Sequence, residues 1–304
     1  MSEQATMTRD ERSSYYMQML GAEYVNSHFG SATPLAIQQL TQNRYRSNPT
    51  TMVDHILSVA NLGGTESVID VGCGNGFILR DVASRMRAGG TITAVDIASG
   101  MLAAAKDNVN FQWAPITWIN RDARELEGLV DGKFDLVMAN YIFHYITDCS
   151  PFCATLASLT NQTGRALVTV EGLDSMYEMY AVHLDAMRAL GIDETAIDRV
   201  PHGRRGSLST HNGKSLLEEH FPSVVEHPYK DSLVFTEPEA FIEFYAAGHR
   251  FCGAQPLLEE ELGAEFFDRL AAEVASRVQH VIDDEGEFIV NKENSVFYCS
   301  PSAS

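Results

Sequence analysis

One stretch constrains the fold more than any other: Val68-Ile69-Asp70-Val71-Gly72-Cys73-Gly74-Asn75-Gly76-Phe77. An apolar run carries an acid near its end, three glycines follow at alternate positions, and a helical pattern then begins with Ile78, Leu79, Val82 and Met86 on one face. This reads as a buried strand, a tight turn and the start of a helix. Glycine is needed where the backbone takes positive φ or presses against a ligand. The first N–H groups of a helix have no partner within it, so they face whatever lies before the turn.

The spacing narrows the ligand. Dinucleotide folds carry G-x-G-x-x-G, whereas here the glycines fall as G-x-G-x-G, with Asp70 two residues before the first. A carboxylate at the ligand end of a strand suits a cation better than a pyrophosphate. A second β-rich run, residues 91–95, ends in Asp96, about 20 residues past the last glycine, where a Rossmann-like fold places the acid that accepts from ribose hydroxyls. Its neighbour Ile97 is placed to pack on a base. The DVGCGNG sequence resembles the first motif of class I S-adenosylmethionine-dependent methyltransferases. Asp96, followed by the small stretch Ala98-Ser99-Gly100 and by Met101 and Leu102, resembles the second. A Rossmann-like domain for another nucleotide is the competing reading.

The resemblance implies more of the site. Asp122 and Ala123, after the third strand, match the pair that meets adenine: the carboxylate accepts from the exocyclic amine and the next N–H reaches a ring nitrogen. Asn140 and Tyr141 leave the fourth strand beneath the methionine moiety, with His144 and Tyr145 just beyond, where small-molecule members carry an aromatic or His pair near the transferred methyl. The cofactor set is thus Asp70, Gly72, Cys73, Gly74, Gly76, Asp96, Ile97, Met101, Asp122, Ala123 and Asn140, with Tyr45 and Arg46 at the distance from the first motif that suits the methionine carboxylate. His144, Tyr141 and Tyr145 form the catalytic set. His144 is a candidate base because histidine titrates near working pH; the alternative is a wall histidine. For the substrate, Tyr180 and His183 share a helix face with Met176 and Met187, a stripe that also suits a core. Arg204 and Arg205 stand out in so acidic a chain and would suit a carboxylate, or would lie in a solvated loop.

Alternating strand and helix patterns force a parallel sheet with helices on both faces. Strands are expected at 67–71, 91–95, 116–120, 134–139, 165–171 and 224–227, with a closing β-hairpin or last strand that turns at 292–294. Together with the resemblance this gives a Rossmann-like α/β fold whose seven-stranded sheet is mostly parallel. Its expected parts are a helical cover (1–60), the S-adenosylmethionine-binding core (61–172), a helical insertion after strand five as substrate cap (173–212) and the C-terminal part of the fold (213–304).

Composition excludes several functions. The 304 residues carry a net charge of −19 and no basic run, which opposes nucleic acid. The apolar stretches are too short to cross a bilayer, and the polar N-terminus lacks a signal-peptide core. Five scattered cysteines, at 73, 149, 153, 252 and 299, point to a reducing cytoplasm and not to a disulfide framework. Cys149 and Cys153 have no histidine at ligand spacing, so no metal is expected. The expected activity is methyl transfer to an O, N or C atom of a small, specialised metabolite. A binder of S-adenosylmethionine without transfer, and a protein or RNA methyltransferase, are the alternatives, and a homodimer is left open.

Overall fold

Two helices lead into the sheet: α1 (Thr33–Tyr45) and α2 (Met52–Ala60), the second capped by the Thr51 hydroxyl, which accepts from the Asp54 N–H. There follow β1 (Ser67–Val71), α3 (Phe77–Arg85), β2 (Thr91–Asp96), α4 (Ser99–Asn108), β3 (Ile116–Asn120), β4 (Phe134–Asn140), α5 (Cys149–Leu159) and β5 (Thr160–Glu171). The chain then continues through α6 (Tyr177–Ala189), α7 (Glu194–Ile197), α8 (Gly213–Glu218), β6 (Ser223–Phe235), α9 (Pro238–Ala246), α10 (Ala264–Glu285) and β7 (Phe288–Ser300). These elements come from a computed structural model that describes residues 33–110, 113–126, 128, 130, 132–146, 148–197, 208–248 and 263–302.

The seven strands lie in the order β3-β2-β1-β4-β5-β7-β6. The first five are parallel, and β7 runs antiparallel to both β5 and β6. Strands β2 and β4 flank β1, so the strand order reverses there, and the carboxyl ends of β1 and β4 open the crevice in which α/β sheets bind ligands. One face of the sheet packs Val68, Ile92, Leu136 and Leu167 on α2, α3 and α4 through Ile56, Leu79 and Leu102. The other packs Ile69, Val137 and Val168 on α5 and α8 through Phe152, Leu156 and Leu217.

Two expectations need correction. The tail is the last strand and not a hairpin: β7 is unbroken at the expected turn, and residues 292, 293 and 294 pair in register with 231, 230 and 229 of β6. The polar Lys292-Glu293-Asn294 run reads as a turn because its alternation is hidden. Glu293 is exposed, while Lys292 and Asn294 are buried on one face. Nor does β6 stop at 227. Pro228 lies inside it, paired with Ser295; β6 is the sheet edge, where proline is tolerated at positions whose N–H faces away from the neighbouring strand.

The outer ends of β6 and β7 carry a third core. Leu233, Phe235, Phe288 and Val290 pack with Phe241 and Tyr245 of α9, Leu270 and Val274 of α10, and Met179 and Met187 of α6. The segment after β5 is therefore bound into the C-terminal elements through α6. It buries its Met/Tyr stripe against them.

Candidate active site

A cavity of about 290 Å³ opens at the carboxyl ends of β1 and β4. The glycine turn forms its floor. Gly72 N–H and Cys73 N–H donate to the Val95 carbonyl (2.8 and 2.9 Å), so the turn is tied to β2. Gly72, Gly74 and Gly76 all take positive φ, of 79°, 55° and 76°. Their surroundings differ. A Cβ on Gly72 would lie 2.6 Å from Ile142, and one on Gly76 2.9 Å from Val109, whereas one on Gly74 would meet only Leu35, at 3.7 Å. Gly74 is thus the point where the bare backbone faces the cavity. Gly76 does not line it: it starts α3 and lets that helix pack against Ala105 of α4.

Two acids flank the turn. The Asp96 carboxylate accepts from Gly74 N–H and Ala98 N–H, both at 2.8 Å, and burial still holds its carboxyl above the usual range against those bonds. Asn120, at the end of β3, donates to the Asp96 and Ile97 carbonyls (3.0 and 2.8 Å) and fixes that corner. Asp70 is fully buried, and burial first, then the charge of Asp96, pushes it up to about 7. Burial raises both carboxyls, and such an acid pair suits a cationic ligand.

This arrangement sets a pH dependence. The folded protein keeps the Asp70 proton up to pH about 7, while the unfolded chain gives it up near pH 4. Stability contributed by the protonated acid is therefore lost as pH rises from about 4 to about 7. A cationic ligand favours the ionised form, so binding S-adenosylmethionine at pH 6 should release a proton. Calorimetry in buffers of different ionisation heat should find close to one proton released at pH 6, little at pH 8, and none in Asp70→Asn. Equal release at both pH values would rule out Asp70 as the source.

Asp122 caps the short 3-10 turn Ala123–Glu125. Partial burial works against its ionisation, but hydrogen bonds from Arg124 Nε and N–H (both 2.9 Å), with the guanidinium charge, hold it below the usual carboxylate range. It enters the cavity with Ala123, beside Ile97 and Met101. On the other side, Asn140 accepts from the Thr169 hydroxyl at 2.6 Å, and its buried Nδ2 has no partner. Tyr141 takes φ 55°, donates its N–H to the Thr169 carbonyl (3.0 Å) and its hydroxyl to Asn294 (3.3 Å). The following 3-10 turn, Phe143–Tyr145, is anchored by buried Phe143 on Phe152, with ring centroids 5.1 Å apart. It presents His144 and Tyr145 to the cavity, their centroids 3.9 Å apart.

The structure thus gathers Asp70, Gly72, Cys73, Gly74, Asp96, Ile97, Met101, Asp122, Ala123, Asn140, Arg46, Tyr141, His144 and Tyr145 around one space. It does not bring Tyr45, Tyr180 or His183 there. Tyr45 packs on Phe235, centroids 5.0 Å apart, in the third core. Tyr180 and His183 are buried on α6, and His183 Nδ1 lies 2.5 Å from the Tyr245 hydroxyl of α9. Helical spacing shows that such a stripe is buried but not against what. Arg204 and Arg205 lie outside the described residues. Sequence reasoning missed Gln38 and Gln42 of α1, Glu171 of β5, Tyr229 and Asp231 of β6, and Lys292 of β7, all of which line the cavity. Pairing β6 with β7 in unbroken register is the signal that would have put the last three on one face.

The strand order, the glycine turn and the two strand-end acids define a Rossmann-like α/β protein of the type that binds an adenosyl cofactor. Residues 68–164 match the family model described as a methyltransferase domain. Residues 68–164 thus carry a methyltransferase domain, similar to those of class I enzymes, whose cofactor is S-adenosylmethionine. Among curated relatives, the malonyl-[acyl-carrier protein] O-methyltransferase of Anoxybacillus flavithermus is 29% identical over 169 residues, 52% of this chain and 62% of that protein. The aklanonic acid methyltransferase DauC of Streptomyces sp. (strain C5) is 32% identical over 105 residues, 34% of this chain and 47% of that protein. The chain therefore spans between about half and three-fifths of these relatives. The solved plantazolicin methyltransferase BamL, in complex with a triazolic desmethylPZN analog and SAH, shares the fold over 97% of this chain and 98% of its own, with a TM-score of 0.51 and 14% identity.

The residues present fit S-adenosylmethionine. The space over Gly74 that a Cβ would begin to fill admits a ligand against bare backbone, the Asn140 amide offers an unused donor, and the Asp70–Asp96 pair suits positive charge.

Proposed function

We propose that this chain transfers a methyl group from S-adenosylmethionine to an O, N or C atom of a small molecule of specialised metabolism. The observation that carries this reading is the continuity of one cavity from Asp96 and Asp122, past the glycine turn and Asn140, to His144 and Tyr145. In this reading Asp96 accepts from the ribose, Ile97 and Met101 hold the adenine, and Asp122 with the Ala123 N–H reads its edge. Asp70, Cys73 and Asn140 surround the methionine end.

The cofactor supplies a methyl on a sulfonium, whose departure leaves a neutral thioether. The chain's work is alignment and exclusion of water. Tyr141, Tyr145 and His144 bound the space where the acceptor meets the methyl, and α1 closes it through Leu35, Gln38, Gln39 and Gln42. His144 takes a proton only if the acceptor arrives protonated. Both relatives above are named for acyl or acid substrates, and a net charge of −19 opposes a nucleic-acid partner. The same reading places the protein in the cytoplasm, away from membranes. No helix among the described residues is long and apolar enough to cross a membrane, and Cys73, Cys149, Cys153 and Cys299 are buried. The same reading keeps the division into 1–60 as cover, 61–172 as cofactor core, 173–212 as a helical insertion proposed as substrate cap and 213–304 as the C-terminal part of the fold.

The test is formation of S-adenosylhomocysteine by the full chain with S-adenosylmethionine and a panel of small acceptors. Turnover dependent on one acceptor class is expected. Failure to bind S-adenosylmethionine at all would overturn the proposal. A narrower check concerns the ribose. Asp96→Ala should weaken cofactor binding by about 1–3 kcal/mol, the scale for hydrogen bonds to a charged group. Calorimetry that finds unchanged affinity in a folded variant would remove Asp96 from that role.

A further inference from the structure

The cavity has a second half that the cofactor residues do not account for. Its floor is the middle of the β5-β7-β6 ladder. Glu171 stands opposite Asn294, which stands opposite Tyr229, and Lys292 stands opposite Asp231. This polar row separates two apolar zones of the same sheet face, Leu233, Phe235, Phe288 and Val290 on one side and Val296 and Tyr298 on the other. The helix above presents Gln38, Gln42 and Asn43. Buried polar groups carry a cost that packing alone does not repay, and a row of them between two well-packed cores marks a place shaped for a polar ligand.

Charge within this chamber is ordered. Asp231 is committed to structure: one carboxylate oxygen accepts from the N–H groups of Ser47 (3.1 Å), Asn48 (2.9 Å) and Ser232 (2.8 Å), which pins the α1–α2 connection to β6. Lys292 is only 6% exposed, lines the cavity, and donates to the Gln42 amide oxygen. Arg46 lines the same cavity from beside the β6 edge. Its backbone bridges to Leu233, its Nη1 donates to the Asn43 carbonyl, and its Nε is buried without an acceptor. Glu171 also lines the cavity, on the β5 side toward Tyr141 and Asn140.

We propose that Lys292 and Arg46 receive a carboxylate of the substrate, so that the substrate class is a small organic acid. This rests on the methyltransferase reading of the same cavity. Glu171 repels a second negative charge at the β5 side, so the acid group points toward Lys292 and Arg46 and a hydrogen-bond donor of the substrate points toward Glu171. Guanidinium and ammonium groups held in a largely desolvated chamber discriminate a carboxylate from its neutral amide far better than surface charges do.

The experiment uses the full chain saturated with S-adenosylhomocysteine. The probes are benzoic, phenylacetic and cinnamic acids, each paired with its own carboxamide, at pH 7.5, with dissociation constants from ligand-observed NMR. At least one acid should bind about 10- to 100-fold more tightly than its amide, and Lys292→Met and Arg46→Gln should each reduce that ratio to within about threefold of unity. Acids that bind no better than their amides, or that do not bind at all, overturn the proposal on the wild-type protein alone, whatever the variants do. An acid preference that survives both substitutions also overturns it. Titration of S-adenosylhomocysteine into the same three proteins separates the two readings. Loss of cofactor binding in the wild type defeats the methyltransferase assignment, whereas intact cofactor binding without acid preference defeats only the assignment of Lys292 and Arg46.

Discussion

Gly74→Val should lower affinity for S-adenosylmethionine by at least about 100-fold while the protein remains folded. Two effects combine. The residue sits at φ 55°, where a β-branched side chain is strained, so the turn is pushed away from its present path. The new side chain also projects into the space between the turn and Leu35, where the protein itself leaves room and a ligand would lie against bare backbone. Gly72 would be a poorer choice, because its Cβ would collide with Ile142 at 2.6 Å and lost binding would be confounded with a displaced loop. Calorimetric titration with a thermal melt of the same sample checks the prediction, and Gly74→Ala should fall between wild type and valine. Near-normal affinity in folded Gly74→Val would put the cofactor cradle elsewhere.

His144→Ala should lower turnover by about 10²–10⁴ if His144 removes a proton from the acceptor. Cofactor affinity should barely change, since the ring stands on the 3-10 turn after β4, against Tyr145, whereas Asp96 ends β2 and Asp122 follows β3. The defect should shrink as pH rises, because an acceptor already deprotonated needs no base. Its neighbour Phe143 anchors the turn on Phe152, so trimming His144 leaves the backbone path in place. The measurement is a pH–rate profile of wild type, His144→Ala and His144→Asn at saturating cofactor. Parallel profiles with less than about tenfold loss would leave alignment alone to explain the rate.

The cofactor half was legible in the sequence because each of its residues sits at a strand end next to a chemical signal. Asp70 and Asp96 close β-rich runs, the glycines interrupt them, and β1 and β3 run over the residues their patterns mark. The acceptor half was not, for three physical reasons. Pro228 and the polar Lys292-Glu293-Asn294 run imitate strand breaks, but an edge strand tolerates proline and a strand over a polar chamber tolerates buried polar residues. A Met/Tyr stripe on a helix reports burial without naming the partner, so Tyr180 and His183 pointed to a pocket when they face α9 and α10. Tyr45 and Arg46 are adjacent, and the turn out of α1 sends one into the third core and the other into the cavity. Spacing from the first motif cannot separate them.

Titration of S-adenosylmethionine into the full chain at pH 7.5 tests the cofactor assignment most directly, with Asp96→Ala and Gly74→Val measured beside it. One-to-one binding by the wild type is expected, weakened in Asp96→Ala and nearly abolished in Gly74→Val. Absence of binding by the folded wild-type protein, or equal binding by all three proteins, would contradict the assignment of this cavity to S-adenosylmethionine.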